Sequence, residues 1–435
     1  MNRKSLITAA LVAAGIIYQA SAADQVVYVT GSTAFRSIVY SAMTDTTGKI
    51  FDQPGTVHNG VTAPAITESE RGGSAANGAN YMLFHGNING TALWIDCAWS
   101  GSEAGLASIA NVAIDNDGIP LFGAPETWLK ADGSVAAGFL AAQPTAGELE
   151  ASSHQGDIAL ADTSQDSALP PIQRVANTST DLKSYGQLGV VTFTWLKNNN
   201  AASGASAAKT AWNSVTNIST FQAQALFGAG ALTADFFTSS SADITTFVYL
   251  VGRNKGSGTR ANVLNDCTFG LNTPVNQFSI GGNLTGTPDG TLTLASCGDN
   301  GYESGGAVTT ALGVAGSTSN ADPFNAGHNW FAIGYASTGD AQKNGVTTAN
   351  WLTENGVFES NGAIKAGQYS FWGYENLFGR HNISGFTDTV GGKILTGVQA
   401  QVGNSGSVDA NHDSAIHVTL MNCVKSTDFS FPTHN

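Results

Sequence analysis

The sequence predicts an α/β protein of two lobes, each with a mostly parallel β-sheet, joined by a hinge. Apolar runs of strand length alternate with amphipathic helical patterns, and several of these runs end in a Gly- and Ser-rich turn directly before a helix. The 435 residues allow about two to three domains of ordinary size. We expect residues 23–192 and 368–435 to form the first lobe and residues 193–367 to form the second.

The first strand, turn and helix follow one another early in the chain. Gln25–Val29 is an apolar run that leads into the Gly-Ser-Thr turn of residues 31–33. The next apolar residues recur with the spacing of one helical face, and they are Phe35, Ile38, Val39, Ala42 and Met43. This segment predicts a helix whose N-terminus lies at the end of a buried strand.

The same pattern occurs twice more. Thr91–Trp99 reads as a strand, and the turn 100–105 and a helical face follow it. Phe247–Val251 is predicted to be another strand, and the Gly-rich segment 252–260 and a helix from Ala261 follow it. We expect three helix N-termini, each preceded by a Gly/Ser turn.

Asp162 follows a further short apolar run, Asp157–Ala161. Because open α/β sheets hold their ligand groups at the carboxyl ends of strands, Asp162 is a candidate site residue. The other predicted elements are the strands Leu188–Leu196, Trp330–Tyr335 and Tyr369–Phe378 and a helix over Ile218–Phe227. The Gly-, Ser- and Thr-rich stretches 51–80, 115–155 and 270–300 predict inserted loops with little regular structure.

The first 22 residues are typical of a secretory signal peptide. Arg3 and Lys4 precede an apolar core, and Ala20-Ser21-Ala22 predicts cleavage before Ala23. No later apolar run reaches the roughly 20 residues of a membrane helix, so no membrane insertion is expected after cleavage. The predicted location is the periplasm or the extracellular space.

The formal net charge of −14 argues against nucleic acid or an anionic membrane as a partner. Local dipoles must therefore capture any anionic ligand, because the overall field repels it. No cofactor is expected.

The four cysteines, Cys97, Cys267, Cys297 and Cys423, allow three disulfide pairings in an oxidising compartment. The pair Cys267 with Cys297 is the first expectation, since both flank one loop-rich insertion. The chain has no Cys-x-x-Cys pair, and its eight histidines are scattered. No metal site is expected.

The predicted turns combine the groups that a tetrahedral anion needs. Helix N-termini offer backbone N–H donors and a positive dipole end, and Arg253 adds a charge-assisted clamp. A carboxylate such as Asp162 beside an anion is costly unless the ligand carries a proton to donate. Hydrogen phosphate carries one and sulfate does not, so Asp162 favours phosphate.

At these residues the chain resembles the phosphate-binding proteins of bacterial ABC importers, which have the type II periplasmic binding protein fold. The segment Arg253-Asn254-Lys255-Gly256-Ser257-Gly258-Thr259 is similar to the family's Arg-x-x-Gly-Ser-Gly-Thr signature. Weaker similarities occur in the same order along most of the chain, at residues 31–35, 101–102, 161–162, 333–335 and 369–377.

The resemblance implies two lobes that close on a dehydrated phosphate. It implies backbone N–H groups from Ala34 and Phe35, a hydroxyl from Thr33 in place of the family's hydroxyl at position 34, a hydroxyl and N–H from Ser102, and an acceptor at Asp162. The remaining implied ligand residues are Arg253, Ser257, Gly258 and Thr259.

The resulting hypothesis is a monomeric exported binding protein that captures inorganic phosphate between its lobes for ABC-type uptake, with a permease as its partner. Two alternatives stay open at this point. Lys255 stands where the family often has a carboxylate, which favours another tetrahedral oxyanion. A cell-surface or matrix protein could reuse the fold. A phosphatase would need a nucleophile with a metal cluster or an acid–base pair; the sequence offers neither, so no enzyme activity is expected.

Overall fold

The structure is a computed structural model of the 435-residue chain. It describes residues 25–45, 47, 49–52, 57–58, 61–62, 65–69, 81–114, 155–198, 207–281, 284, 294–314, 322, 324–325, 330–341, 346–402, 407–409 and 412–434. The predicted signal peptide and nearly all of the predicted insertion 115–155 lie outside these residues.

The described residues form the following strands: β1 Gln25–Gly31, β2 Val57–His58, β3 Val61–Thr62, β4 Ala65–Ser69, β5 Tyr81–Ile88, β6 Thr91–Ala98, β7 Ile158–Ala161, β8 Lys183–Lys197, β9 Asn217–Ile218, β10 Ala231–Thr233, β11 Phe247–Val251, β12 Gln277–Ile280, β13 Leu294–Gly298, β14 Trp330–Ser337, β15 Trp351–Glu354, β16 Trp372–Gly379, β17 Ser407–Asp409, β18 His412–Asp413, β19 Ala415–Ile416, β20 Cys423–Val424 and β21 Thr433–His434.

The described helices are α1 Arg36–Met43, α2 Ser102–Ala110, α3 Ala207–Ser214, α4 Thr220–Ala229, α5 Asp235–Thr238, α6 Gly258–Asp266, α7 Gly305–Val314, α8 Thr338–Ala341, α9 Asn361–Lys365 and α10 Gly385–Gln401. Helix α6 begins three residues earlier than the predicted start at Ala261. Gly258, the last residue of the Gly-Ser-Gly turn, is therefore the first residue of the helix.

One large sheet organises the molecule and confirms the predicted α/β class. It has 13 strands, and its main path runs β10-β11-β14-β8-β16-β7-β1-β6-β5-β4, with β9, β15 and β19 beside it. Its parallel pairs in the described part of the chain are β1 with β6, β1 with β7, β11 with β14, and, beside the main path, β9 with β15. The remaining pairs of its main path are antiparallel, and each of the strands β1, β6, β7 and β11, which lead into the predicted site, has a parallel neighbour.

Strand β8 lies at the centre of this sheet and connects its two halves. Its first part pairs with β16, and its last part pairs with β14 and β15. The side chain of Trp195, which lies near the end of β8, is fully buried against the aromatic rings of Tyr335, Phe371 and Phe227. The two-lobe division at residue 192 stays a prediction.

The expectation of irregular loops was wrong in part. Strand β4 within 51–80 pairs with β5 and extends the large sheet, and β2 and β3 form a hairpin. Strands β12 and β13 form a second hairpin within 270–300. Because Gly, Ser and Thr are abundant in these segments, the alternation of apolar and polar residues that marks a strand was not visible. Each of these strands pairs with a strand that is close in sequence.

The expected disulfide is not formed in the structure. All four cysteines are free thiols, and Cys267 and Cys423 are buried. Cys267 is the C-cap residue that directly follows α6, and its backbone N–H donates to the carbonyl of Val263 at 3.0 Å. Burial raises the pKa of the Cys267 thiol well above its usual range, which disfavours the thiolate that disulfide exchange requires.

Candidate functional site

The predicted turns after β6 and β11 are in direct contact. The backbone N–H of Ala104 donates to the carbonyl of Gly256 at 3.1 Å, and a Cβ on Gly101 would lie 2.4 Å from that same oxygen. Gly101 also has a φ of +106°, so its conformation and its surroundings both exclude a side chain. The N-termini of α2 and α6 are thereby held next to each other.

Gly258 packs directly on the residues that follow β6 and β7. A Cβ at position 258 would lie 1.5 Å from Asp162 Oδ1 and 2.6 Å from Ser102 Oγ. The Asn262 side chain, one turn further along α6, donates to the carbonyls of Asp162 at 2.7 Å and of Gly258 at 3.0 Å. The structure thus brings Ser102, Asp162 and Gly258 together in one small volume.

The Asp162 carboxyl is buried, and its Oδ1 atom has no hydrogen-bond partner among the described residues. The Ser102 hydroxyl accepts from the Asp162 backbone N–H at 3.2 Å. Burial raises the pKa of Asp162 to about 6, although the Ser102 hydroxyl and the Arg253 charge oppose this shift. An ionised Asp162 therefore has an acceptor that is available to a ligand donor.

Arg253 crosses from the β11 turn to the β1 turn. Its guanidinium donates to the carbonyl of Tyr302 at 3.0 Å and of Glu303 at 2.8 Å, and to the Thr33 hydroxyl at 3.4 Å. Burial lowers the pKa of Arg253 to about 10, while the charges of Asp340 and Asp162 act in the opposite direction. Arg253 is thus a positioned, buried cation at neutral pH.

The N-termini of α1 and α2 have no side-chain cap. Phe35 and Gly101 are the N-cap residues, and neither supplies a side-chain acceptor. Without such a cap, the first N–H groups of a helix depend on other acceptors. Thr33, Ala34 and Phe35 are all buried next to α1.

Ser257 has the capping role that its residue type also favours. Its hydroxyl accepts from the Arg260 N–H at 3.2 Å at the start of α6, and both Ser257 and Thr259 are buried. Capping uses one lone pair of the hydroxyl and leaves its proton for another acceptor. The capping role and the predicted ligand role of Ser257 are therefore compatible.

Sequence reasoning missed a second buried arginine. Arg36 is the first residue of α1; its Nη2 lies 3.8 Å from Asp340 Oδ1, and its charge lowers the pKa of Arg253. Asp340 itself belongs to α8, directly after β14. The sequence signal was a strand followed by Ser-Thr-Gly-Asp at 337–340, a fourth polar turn.

A buried glutamate was also missed. Glu375 lies within β16, is fully buried, and has no hydrogen-bond partner for either carboxyl oxygen among the described residues. Its sequence signal was a single acid inside the largely aromatic run 369–378.

Two charged residues near the motifs have structural partners. Lys255 Nζ lies 3.0 Å from Asp299 Oδ2 and is 41% exposed, so it points away from the buried residues described above. The Glu103 carboxyl, buried in α2, accepts from the Thr163 hydroxyl at 2.8 Å and from the Leu169 N–H at 2.9 Å. Glu103 thereby ties α2 to the segment that follows β7.

One group of metal-type ligands lies elsewhere in the described part of the chain. Asp266, Cys267 and Glu354 each place a ligand atom within 4.8 Å of the others. The ammonium group of Lys425 lies 4.0 Å from Asp266 Oδ1 and donates to the Trp372 carbonyl at 2.8 Å. A protein cation therefore already neutralises this group, which fits a metal poorly.

The fold and the site define an α/β protein with a buried, cation-containing polar site between helix N-termini. No family model and no curated protein matches the chain. No helix in the described ranges is long and apolar enough to cross a membrane.

Solved structures show a weak overall similarity. One is a Clostridium perfringens protein assigned as a phosphate ABC transporter substrate-binding protein, with bound phosphate. It is 12% identical to this chain with a TM-score of 0.43, and the match covers 91% of this chain and 100% of that one. Another is an ABC-type phosphate transport receptor from Vibrio cholerae, with 12% identity, TM-score 0.36, and coverage of 85% and 93%. A third is PstS from Borrelia burgdorferi, with 11% identity, TM-score 0.34, and coverage of 87% and 97%. Similarity at this level does not establish a shared family.

Proposed function

We propose that this protein binds inorganic phosphate between the β1, β6 and β7 strand ends on one side and the N-terminus of α6 on the other. The observation that carries the proposal is the Asp162 carboxyl. It is buried, it lies against Gly258, and its Oδ1 atom has no partner among the described residues. A protonated oxyanion supplies the donor that this acceptor lacks.

The surrounding groups suit the rest of such a ligand. Arg253 provides positive charge and N–H donors, the uncapped N-termini of α1 and α2 provide backbone donors, and Ser102, Ser257 and Thr259 provide hydroxyls. Phosphate at neutral pH retains at least one proton, whereas sulfate retains none. An ionised Asp162 therefore repels sulfate and accepts a hydrogen bond from phosphate.

The physiological role that fits such a site is capture for uptake. We place the protein outside the cytoplasmic membrane, because the sequence of residues 1–22 predicts a cleaved signal peptide. Binding without chemistry, followed by delivery to an ABC permease, is the activity proposed, with the two predicted lobes closing around the ligand.

Calorimetric titration of the ligand-free protein with phosphate, arsenate and sulfate tests the binding proposal. We expect heat with phosphate, and with arsenate as a close analogue, but much weaker binding of sulfate. No heat with any of the three ions at micromolar protein would refute the proposed function. Binding of sulfate as tightly as phosphate would refute phosphate selectivity alone.

Asp162→Asn tests the group on which selectivity depends. The amide is neutral and no longer repels sulfate, so the preference for phosphate over sulfate should fall by about tenfold or more. Lys255→Ala is the matched control, since Lys255 pairs with Asp299 at the surface. It should leave both affinities within about twofold, because screened surface charges contribute little. Unchanged selectivity in Asp162→Asn would remove Asp162 from this role.

A further inference from the structure

Glu375 occupies a position beside Asp162 that the proposed phosphate site does not use. In the antiparallel pair of β16 and β7, Asn376 lies opposite Ala161, so Glu375 and Asp162 are the next residues of the two strands. A Cβ on Gly373 would lie 2.8 Å from the Asp162 carbonyl and 2.7 Å from Asn262 Oδ1. Strand β16 therefore runs directly against Asp162 and helix α6.

Three buried polar groups at these strand ends have no hydrogen-bond partner among the described residues. They are both carboxyl oxygens of Glu375, Oδ1 of Asp162 and Oγ of Ser32, and the three residues are at most 1% exposed. Leaving a buried polar group unpaired is costly, because the group has lost its hydrogen bonds to water and gained none in return. Because these groups come from three adjacent strands, one polar guest could satisfy them together.

Two neighbouring buried carboxyls cannot both carry a charge at low cost. Asp162 has the Ser102 hydroxyl and the Arg253 charge to favour its ionised form. Both burial and the charge of Asp162 raise the pKa of Glu375 well above its usual range, and only the nearby Ser32 hydroxyl, which makes no hydrogen bond of good geometry to the carboxyl, acts in the opposite direction. Glu375 is therefore the carboxyl that keeps the proton, and a neutral carboxyl has one O–H to donate.

We propose that Glu375 is a ligand-binding, specificity-determining residue of the oxyanion site, and that its neutral carboxyl donates a hydrogen bond to an oxygen of the bound ion. The proposal rests on the proposed phosphate function and refines it. Asp162 accepts the proton of the ligand while Glu375 donates to an unprotonated oxygen. Asp162 and Glu375 together bind one protonated and one unprotonated oxygen of the ligand. The ligand class is therefore a partly protonated tetrahedral oxyanion.

Two substitutions separate this role from simple packing. Glu375→Gln keeps a neutral donor of the same shape, so phosphate affinity at neutral pH should stay within about threefold of the wild type. Glu375→Leu fills the space but removes the donor, and affinity should fall by about 10- to 100-fold, the effect of losing a hydrogen bond to a charged group. Circular dichroism and thermal unfolding establish that each variant is folded.

Infrared difference spectroscopy of the wild type and Glu375→Gln reports the proton directly. The wild type should show the C=O stretch of a protonated carboxyl that Glu375→Gln lacks at neutral pH, and added phosphate should shift that band to lower frequency. This measurement also decides the matter if Glu375→Leu fails to fold.

The outcomes distinguish the two proposals. If the wild type binds no oxyanion, the proposed function fails, and the role of Glu375 fails with it. If the wild type binds phosphate but Glu375→Leu binds it equally well, only the role of Glu375 is overturned. The same holds if Glu375→Gln weakens binding as much as Glu375→Leu, or if no protonated-carboxyl band is lost in Glu375→Gln.

Discussion

Gly258→Ala is the smallest change that separates the two sides of the proposed site. Gly258 is the first residue of α6, and its Cα faces the carboxyl of Asp162. Its φ is not positive, so an alanine is acceptable to the backbone and the effect comes from space alone. The added Cβ would lie 1.5 Å from Asp162 Oδ1 and 2.6 Å from the Cβ and Oγ of Ser102.

The magnitude follows from these distances. A carbon atom and an oxygen atom in van der Waals contact lie about 3 Å or more apart. The N-terminus of α6 must therefore move by roughly 1.5 Å, or the Asp162 side chain must rotate away. Either change costs about 1–3 kcal/mol of folding free energy through overpacking. Either one also displaces groups proposed to contact phosphate, and misplacement by about 1 Å costs about 100-fold where geometry is decisive.

The assay is phosphate titration calorimetry together with urea unfolding of the ligand-free protein. We expect phosphate affinity to fall by about 100-fold or more in Gly258→Ala. Gly392→Ala is the control, because a Cβ on this glycine of α10 meets nothing within 4 Å. It should raise stability by about 0.5–1 kcal/mol and leave affinity unchanged. Phosphate affinity within threefold of the wild type in Gly258→Ala would refute the placement of Gly258 in the site.

Two further predictions concern buried charges. Arg36→Met removes a buried positive charge, the guanidinium that lies 3.8 Å from Asp340. We expect phosphate affinity to fall by about tenfold, and to fall more at low salt, where charges are screened less. An unchanged affinity would exclude Arg36 from the site. Burial raises the pKa of Glu103 to about 7 and the pKa of Asp162 to about 6. Between about pH 4 and pH 7 the folded state therefore holds protons that the unfolded state has already released. The free energy of unfolding should fall as the pH rises through this range. Each carboxyl contributes on the order of 3 kcal/mol to that fall. Glu103→Gln should therefore flatten the profile of unfolding free energy against pH. An equally steep profile in Glu103→Gln would contradict the raised pKa of Glu103.

Local sequence patterns predicted the parts of the site that depend on local chain geometry. The run Phe247–Val251 is the observed β11, and the helical spacing after residue 35 is the observed α1. These elements could be predicted because strand, turn and helix each have a signature within a few residues. The contact between the turns, such as Ala104 with Gly256, follows from sheet order, which no local pattern contains.

Buried charges could not be interpreted from sequence because their meaning depends on partners far along the chain. Arg36 reads as an ordinary polar position of an amphipathic helix, yet its partner Asp340 lies more than 300 residues away. The sequence suggests that Lys255 alters the charge at the predicted anion site, yet in the structure Lys255 pairs with Asp299 at the surface. In both cases the residue type was visible, and the pairing that decides its effect was not.

Glu375 shows which sequence signal would have been worth following. An acid inside a buried strand must become neutral, find a buried cation, or meet a ligand, because an isolated buried carboxylate is too costly. Among the described residues, no cation pairs with Glu375, and neither of its carboxyl oxygens has a hydrogen bond of good geometry. What remains is a neutral carboxyl with a proton to donate, beside an acceptor, Asp162, that lacks a donor. Two such groups on adjacent strands are complementary to a guest that carries both a proton and a bare oxygen, and hydrogen phosphate has both.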